Sequence, residues 1–469
     1  MTEIVKPDEF MGQPKGLFIL FFTELWERFS FYGMRAILVL YMISEASAEN
    51  PGLGWTKATA LSVYGWYTMA VYLASIPGGI LADRYLGQKK AVMFGGLLLC
   101  LGHTILAING LWAFGIGLVL IVLGVGGLKP NISTMVGGLY GRNDLRRDAG
   151  FTVFYIGINM GAFLAALIVG FVGETVGWHY GFGLAGIGML VGQLVFIGGQ
   201  KYLKYVGDFI PPSTKSGMKE SEPLSKIEKD RIVVLLLSFL ILIVFWGAFE
   251  QAGGLMNIYT KQKINRMLFG FEIPASAFQA LNPFFIMVFG TMVAGFWMNR
   301  SRKNRESSSL YKMAIGIIVM GFGFLMMSGA SMEAMESGQA AMYWLVGAYF
   351  LHTIGELCAS PVALSFITKL APAKYGSIMM GLYFAASGLG NKIAGIIGGL
   401  AQNAGEFQIF TGIFAFSSFF GLLILVFLKR LKNLTHGAED QVFVEKSDIT
   451  KRKDFDKDLA GAGLQNDSI

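Results

Sequence analysis

The stretch "TELWERFSFYGMRA", residues 23–36, places Glu24, Glu27, Arg28 and Arg35 inside a long apolar run. Two carboxylates and two guanidiniums so close together can form ion pairs, exchange protons, or line a path for an ion or polar solute. At about 100° per residue, with Glu24 as zero, Arg35 falls near 20°, Arg28 near 40°, Tyr32 near 80°, Phe31 near −20° and Glu27 near −60°. All four charges share one helical face with a tyrosine, while Leu25, Trp26, Phe29 and Gly33 take the opposite face, which is expected to suit lipid. Each charge at mid-membrane costs roughly 2.5–3.5 kcal/mol, so the set costs about 10 kcal/mol unless paired or wetted. An internal salt-bridge staple accounts for their zero sum. An ion or substrate path accounts better for their density.

Further polar groups recur in apolar surroundings. "LGVGGLKPNIS" holds Lys129 beside Gly126, Gly127 and Pro130, a kinkable site whose freed carbonyl must face protein or water. "FYIGINMGAF" brings Tyr155 and Asn159, "VFWGAFEQAGG" brings Trp246 and Glu250, "ALNPFF" brings Asn282, and "IGELCASPVALS" brings Glu356 near Pro361. Cations Arg28, Arg35 and Lys129 sit in the first half, Glu250 and Glu356 in the second. Walls of opposite sign suit a zwitterion, and a di- or tripeptide at about 3.3–3.6 Å per residue has the reach to span them.

The two cysteines, Cys100 and Cys358, and the four histidines form no metal-ligand spacing, and no HExxH or GxSxG pattern occurs. Enzymatic chemistry, a metal and an organic cofactor are therefore not expected.

These groups need a membrane scaffold. Of 469 residues, 54% are hydrophobic and 15% charged, with mean hydropathy +0.55, against about 25% charged in soluble domains. Apolar stretches of about 20 residues fall near 16–44, 57–82, 91–109, 112–136, 150–172, 180–203, 232–256, 277–299, 311–330, 340–368, 375–401 and 407–430. The first span follows a polar leader with no small-residue cleavage site and is expected to stay in the mature chain. Lys and Arg crowd alternate connections, among them "DRYLGQKK", "GRNDLRRD" and "NRSRKNRESSSLYK", which puts both termini on the cytoplasmic side. The formal +7 reflects this bias, so contact with an anionic leaflet is expected and nucleic-acid binding is not. Residues 205–231 are expected to form a cytoplasmic linker between bundles 1–204 and 232–432, with 433–469 a charged, disordered tail. Six plus six spans with cytoplasmic ends is the plan of the major facilitator fold, all-α.

On these residues the chain resembles the proton-dependent oligopeptide transporters, a branch of the major facilitator superfamily, over residues 10–432. "ELWERFSFYG" is similar to the family's ExxER motif, "FYIGINMG" to its FYxxINxG signature and "PGGILADRYLGQKK" to the superfamily's loop between helices two and three; four further stretches keep the family's order. The resemblance implies a proton–peptide symporter in a bacterial cytoplasmic membrane, working as a monomer by alternating access. Glu24, Glu27 and Arg28 would then couple protons, with Lys129 pairing Glu250 across the halves. Arg28, Arg35 and Lys129 would attract the peptide carboxylate, Glu356 with Asn159 and Asn282 would hold its amino group, and Tyr32, Tyr72 and Trp246 would line side-chain pockets. Asp83 and Arg84 would belong to the cytoplasmic gate, and Tyr155 is a structural expectation. Protonating a carboxylate beside an arginine weakens the pair, so proton uptake could free Arg28 for the substrate. Phe31 stands where many relatives have a tyrosine, and the linker is too short for the two extra helices of many bacterial members. Nitrate or another small anion is the nearest rival substrate, although nitrate-moving plant relatives tend to lose the ExxER motif present here. Lys392, in "SGLGNKIAGIIGG", has two readings: a snorkelling or locally paired lysine, or a gate contact with Glu406 or Glu250.

Overall fold

The computed structural model describes residues 8–439 except 142–143, 145, 205, 210–223 and 373–374. Among them are thirteen α-helices: α1 (Lys15–Ile43), α2 (Lys57–Leu81), α3 (Gln88–Leu106), α4 (Leu111–Gly138), α5 (Arg147–Thr175), α6 (Trp178–Gly199), α7 (Lys226–Phe249), α8 (Leu255–Lys263), α9 (Leu281–Arg302), α10 (Ser309–Ser337), α11 (Met342–Leu370), α12 (Gly376–Ala404) and α13 (Glu406–Asn433). Two hairpins of two-residue strands, Glu9–Phe10 with Gln13–Pro14 and Met267–Leu268 with Phe271–Glu272, and short π or 3₁₀ turns such as Ala82–Leu86 and Ala275–Ala280 join the helices. Each of the twelve expected spans has its helix, and the short α8 is additional. Nine helical stretches among the described residues are long and apolar enough to cross a membrane. Helix α1 is not among them, because every 18-residue stretch of it holds at least three of Glu24, Glu27, Arg28 and Arg35.

Several expected boundaries move for local reasons. Helix α7 begins at Lys226, inside the expected linker, because Ser225 and Glu228 form a capping box. Glu228 N donates to Ser225 Oγ at 3.2 Å, and Ser225 N donates back to Glu228 Oε2 at 2.9 Å, satisfying backbone donors that have no helical partner. Ser225→Ala should cost about 1 kcal/mol and lower the thermal midpoint of the detergent-solubilised chain by about 2 °C or less. The rest of the linker expectation, residues 210–223, lies outside the described residues. At its other end α7 stops at Phe249 rather than 256, where a 3₁₀ turn, Glu250–Ala252, and Gly253–Gly254 redirect the chain into α8. The start of the expected disordered tail is also ordered. Arg231 Nε donates to the Thr435 carbonyl at 3.1 Å, His436 Nε2 meets Asp230 Oδ2 at 2.7 Å, and Ser309 N donates to Glu439 Oε1 at 3.0 Å. Residues 440–469 lie outside the described residues.

Buried apolar side chains gather in two clusters. One runs from Leu17 to Val206 with Ile258 and Ala275 added, and the other from Val234 to Ile424. Helix α1 lies at the heart of the first, packed on α5 and α6. The face of α1 expected to meet lipid is therefore buried: Leu25 and Phe29 are under 10% exposed, since a central helix is covered all round. The carbonyl that Pro130 leaves without its helical donor, that of Gly126, faces α2 at Gly78, where a Cβ would lie 2.0 Å from it. The freed carbonyl thus faces protein, as expected.

Helices α2 and α12 join the two clusters along their length, and α5 meets α9. Gly65 and Gly395 mark the closest approach of α2 and α12: a Cβ on Gly395 would lie 2.4 Å from the Leu61 carbonyl oxygen and 3.0 Å from Gly65 Cα. Small residues let helix backbones meet this closely in membranes. Polar links between the clusters gather near the C-terminal ends of α1 and α5. Asn257 Nδ2 donates to the Ala36 carbonyl at 2.8 Å, Lys261 Nζ meets Glu174 Oε2 at 2.8 Å, and Ser276 N donates to Glu174 Oε1 at 2.7 Å.

Candidate functional site

Between the two clusters lies a cavity of about 190 Å³. Of the residues singled out in the sequence, Tyr32, Arg35, Tyr72, Tyr155, Asn159, Trp246, Glu250, Asn282 and Glu356 line it. Helix α1 supplies Tyr32 and Arg35, α5 supplies Tyr155 and Asn159, α7 supplies Trp246 and the 3₁₀ turn after it Glu250, and α9 and α11 supply Asn282 and Glu356. Helical spacing aligns them: Asn159 stands one turn after Tyr155, and Glu250 one turn after Trp246.

The electrostatics are specific. Arg35 Nη1 contacts Glu250 Oε1 at 3.1 Å and Oε2 at 3.2 Å, and its guanidinium lies over the Tyr32 ring at 4.9 Å. Tyr64 donates its hydroxyl to Glu250 Oε2 at 3.4 Å. Opposite, Asn282 Nδ2 donates to Glu356 Oε2 at 2.7 Å and to Thr353 Oγ1 at 3.1 Å. Asn159 Nδ2 donates to the Tyr155 carbonyl at 2.9 Å within its own helix. The buried Trp246 Nε1 has no hydrogen-bond partner among the described residues. Such a donor on a cavity wall carries a desolvation cost that a bound acceptor would relieve. The cavity therefore offers one guanidinium, two carboxylates, several phenols and an unused indole donor, the equipment to hold a small solute of both charges.

Glu24, Glu27 and Arg28 form a separate group that does not line this cavity. Arg28 Nη2 meets Glu24 Oε1 at 2.6 Å, and Arg28 Nε meets Glu27 Oε2 at 3.1 Å. Both carboxylates are wholly buried and Arg28 is 5% exposed. Removing one partner of such a group leaves an uncompensated buried charge. Lys129 also lies outside the cavity lining, with Nζ 4.1 Å from the Tyr72 ring centre.

Two expectations are corrected here. Glu250 pairs with Arg35, not Lys129, because Arg35 Nη1 reaches both oxygens of that carboxylate while Lys129 is turned onto Tyr72. Arg28 and Lys129 do not present their charges to the cavity in this structure; Arg28 is consumed by the two glutamates of its own helix. Of the two readings of Lys392, local pairing is the one seen: its Nζ lies 4.3 Å from the Trp66 ring centre and 3.4 Å from Ser62 Oγ on α2, and neither Glu406 nor Glu250 is its partner. Glu406 is held instead by Lys57 at 3.7 Å and Glu250 by Arg35. Asp83 and Arg84 sit exposed at the turn after α2, with no ion pair among the described residues.

Sequence reasoning missed Gln279, Tyr349 and Ser360, which also line the cavity. A signal was present for two of them, since Tyr349 precedes Glu356 by seven residues and Ser360 follows it by four, both on the Glu356 face of α11.

A bundle of long apolar helices enclosing a charged cavity defines a multi-pass membrane protein with an internal solute site. The model of the POT family matches residues 89–219 and 213–412. A peptide transporter of Yersinia enterocolitica, YePEPT, is 36% identical over 92% of this chain and 97% of its own, and a di-/tripeptide transporter of Lactococcus lactis subsp. cremoris is 35% identical over 91% and 97%. The crystal structure of a peptide transporter POT in complex with sulfate superposes with a TM-score of 0.85 at 35% identity, covering 92% of this chain and 97% of the other. The chain belongs to the POT family.

Proposed function

We propose that this protein is a proton-coupled symporter of di- and tripeptides, working by alternating access in a bacterial cytoplasmic membrane. The observation that carries the reading is the cavity itself, with Arg35 on one wall and Glu356, held by Asn282, on the other. Likeness to di- and tripeptide transporters supports the same substrate class. In this reading two six-helix bundles of the major facilitator fold, 1–204 and 232–432, rock about the cavity, with both termini cytoplasmic and the monomer as the working unit. The links through Asn257, Lys261 and Ser276 close the outer end. Tyr155, 46% exposed on the cavity wall, stands toward the open end.

The coupling ion is the proton, carried by the Glu24–Glu27–Arg28 group, with Lys129 and Glu250 as responding charges. The peptide carboxylate competes with Glu250 for Arg35, and its ammonium meets Glu356 with Asn159 and Asn282. Uptake of labelled dialanine into proteoliposomes, with and without an inward proton gradient, tests the reading. Accumulation only with the gradient supports it; protons moving with a small anion and never with peptide overturn it. Glu356→Gln should raise the half-saturating dialanine concentration at least tenfold, as a hydrogen bond to a charged group is worth about 1.5–3 kcal/mol. Binding of N-acetyl-dialanine, which lacks the ammonium, should not change between the two proteins.

A further inference from the structure

Further along α9, toward its C-terminal end and beyond the residues that line the peptide cavity, runs a groove of about 390 Å³ shared with α10 and α11. Phe289, Met292, Val293 and Phe296 of α9 form one wall, with Ile315 and Val319 of α10 facing them. Of the whole of α9 only Pro283, Ile286 and Trp297 are buried, so this helix is the edge of the packed structure. From Phe289 to Arg300 a helix rises about 16 Å, close to one leaflet's share of a hydrocarbon core about 30 Å thick. The groove therefore runs from mid-membrane to headgroup depth.

Its headgroup end is cationic and aromatic. Arg300 Nε donates to the Glu306 carbonyl at 2.7 Å and Nη2 to the Tyr311 hydroxyl at 3.2 Å, fixing the guanidinium and leaving Nη1 without a partner among the described residues. Lys312 Nζ lies 5.7 Å from the Trp297 ring centre and makes no hydrogen bond or ion pair among the described residues. Arg302, Lys303 and Arg305 stand exposed in the adjoining turn. The carboxylate of Glu306, which would otherwise balance them, is engaged by Lys432 at 3.2 Å. Glu439, held at Ser309, acts on Lys312 from the other side, yet the cations outnumber these two carboxylates, and a one-leaflet apolar slot ending in interfacial aromatics and excess positive charge matches one kind of molecule.

We propose that this groove binds an anionic phospholipid of the leaflet on the Arg300 side. One acyl chain lies along Phe289, Val293 and Phe296, and the phosphate is held by Arg300 Nη1 and the Lys312 ammonium. The inference rests on the chain's being membrane-embedded and not on its substrate, so it stands or falls apart from peptide transport.

Native mass spectrometry of the full chain in mild detergent, titrated with phosphatidylglycerol or with phosphatidylcholine of the same acyl chains, is the test. The wild-type protein should retain one phosphatidylglycerol at a concentration about tenfold lower than phosphatidylcholine. Arg300→Gln with Lys312→Gln should bring the two lipids level. Val293→Trp, which fills the groove and keeps every cation, should weaken phosphatidylglycerol retention, so the proposal stays testable if the charge variant does not fold. Glycerol phosphate at equal concentration should displace no lipid. Equal retention of the two lipids by the wild type, preference surviving Val293→Trp, or displacement by glycerol phosphate would overturn the site.

Discussion

Glu24→Gln should abolish gradient-driven peptide accumulation while sparing peptide exchange across the membrane. Arg28 places both Nε and Nη2 on Glu24 Oε1, at 2.7 and 2.6 Å, so this carboxylate is the tighter of its two partners. Glutamine keeps the shape but neither takes up nor releases a proton, fixing the group in the state that protonation would reach. A proton carried with a neutral dipeptide gains about 2.3 kcal/mol per 100 mV, and one pH unit adds about 1.4 kcal/mol. Together these sustain an accumulation of about 500-fold. In the variant the ratio should fall to about one, with counterflow of labelled dialanine against unlabelled peptide continuing. Retained accumulation would remove Glu24 from coupling and pass the role to Glu27 or to another carboxylate.

Gly395→Leu should lock transport by a different route. The Cβ that leucine adds would lie 2.4 Å from the backbone oxygen of Leu61, and backbone in a packed helix has no rotamer by which to withdraw. Overpacking typically costs about 1–3 kcal/mol, which lowers the share of molecules with α2 and α12 in contact by about 5- to 150-fold. Uptake should drop by at least about fivefold. In a background with Cys100 and Cys358 replaced by serine, Ser360→Cys on the cavity wall should become reactive toward a membrane-impermeant maleimide added from outside. Unchanged labelling with full transport would show that the α2–α12 contact is not required.

The helices were legible because apolar runs long enough to span leave little alternative, and α1 was legible because four charges on one face of such a run demand a shared environment. Pairing was not. Arg28, Arg35 and Lys129 are all cations on helices of the first half, and sequence ranks them by face but not by depth or distance from a carboxylate 215 positions further on. Depth decides: Arg35, about two turns beyond Arg28, reaches Glu250, while Arg28 is held by its helical neighbours. Helix α8 was hidden because its second half, residues 259–263, is polar and falls between the expected spans, although its first residues Leu255, Met256 and Ile258 are buried. Lys392 left two readings open because sequence does not say which helix faces it; the structure satisfies it locally, with an indole face and a hydroxyl of α2.

The docking of residues 435–439 onto the starts of α7 and α10 sets a rule for anyone who attaches something to this molecule. A reporter, affinity tag or protease site spliced in directly after Asn433 would cut away Thr435, His436 and Glu439, stripping Arg231, Asp230 and Ser309 of the groups they hold. The same attachment placed after Glu439 leaves that seam intact. Two reporters that differ by six residues in their point of attachment would thus describe two different proteins, one of them lacking the stitch that ties the last helix to the rest.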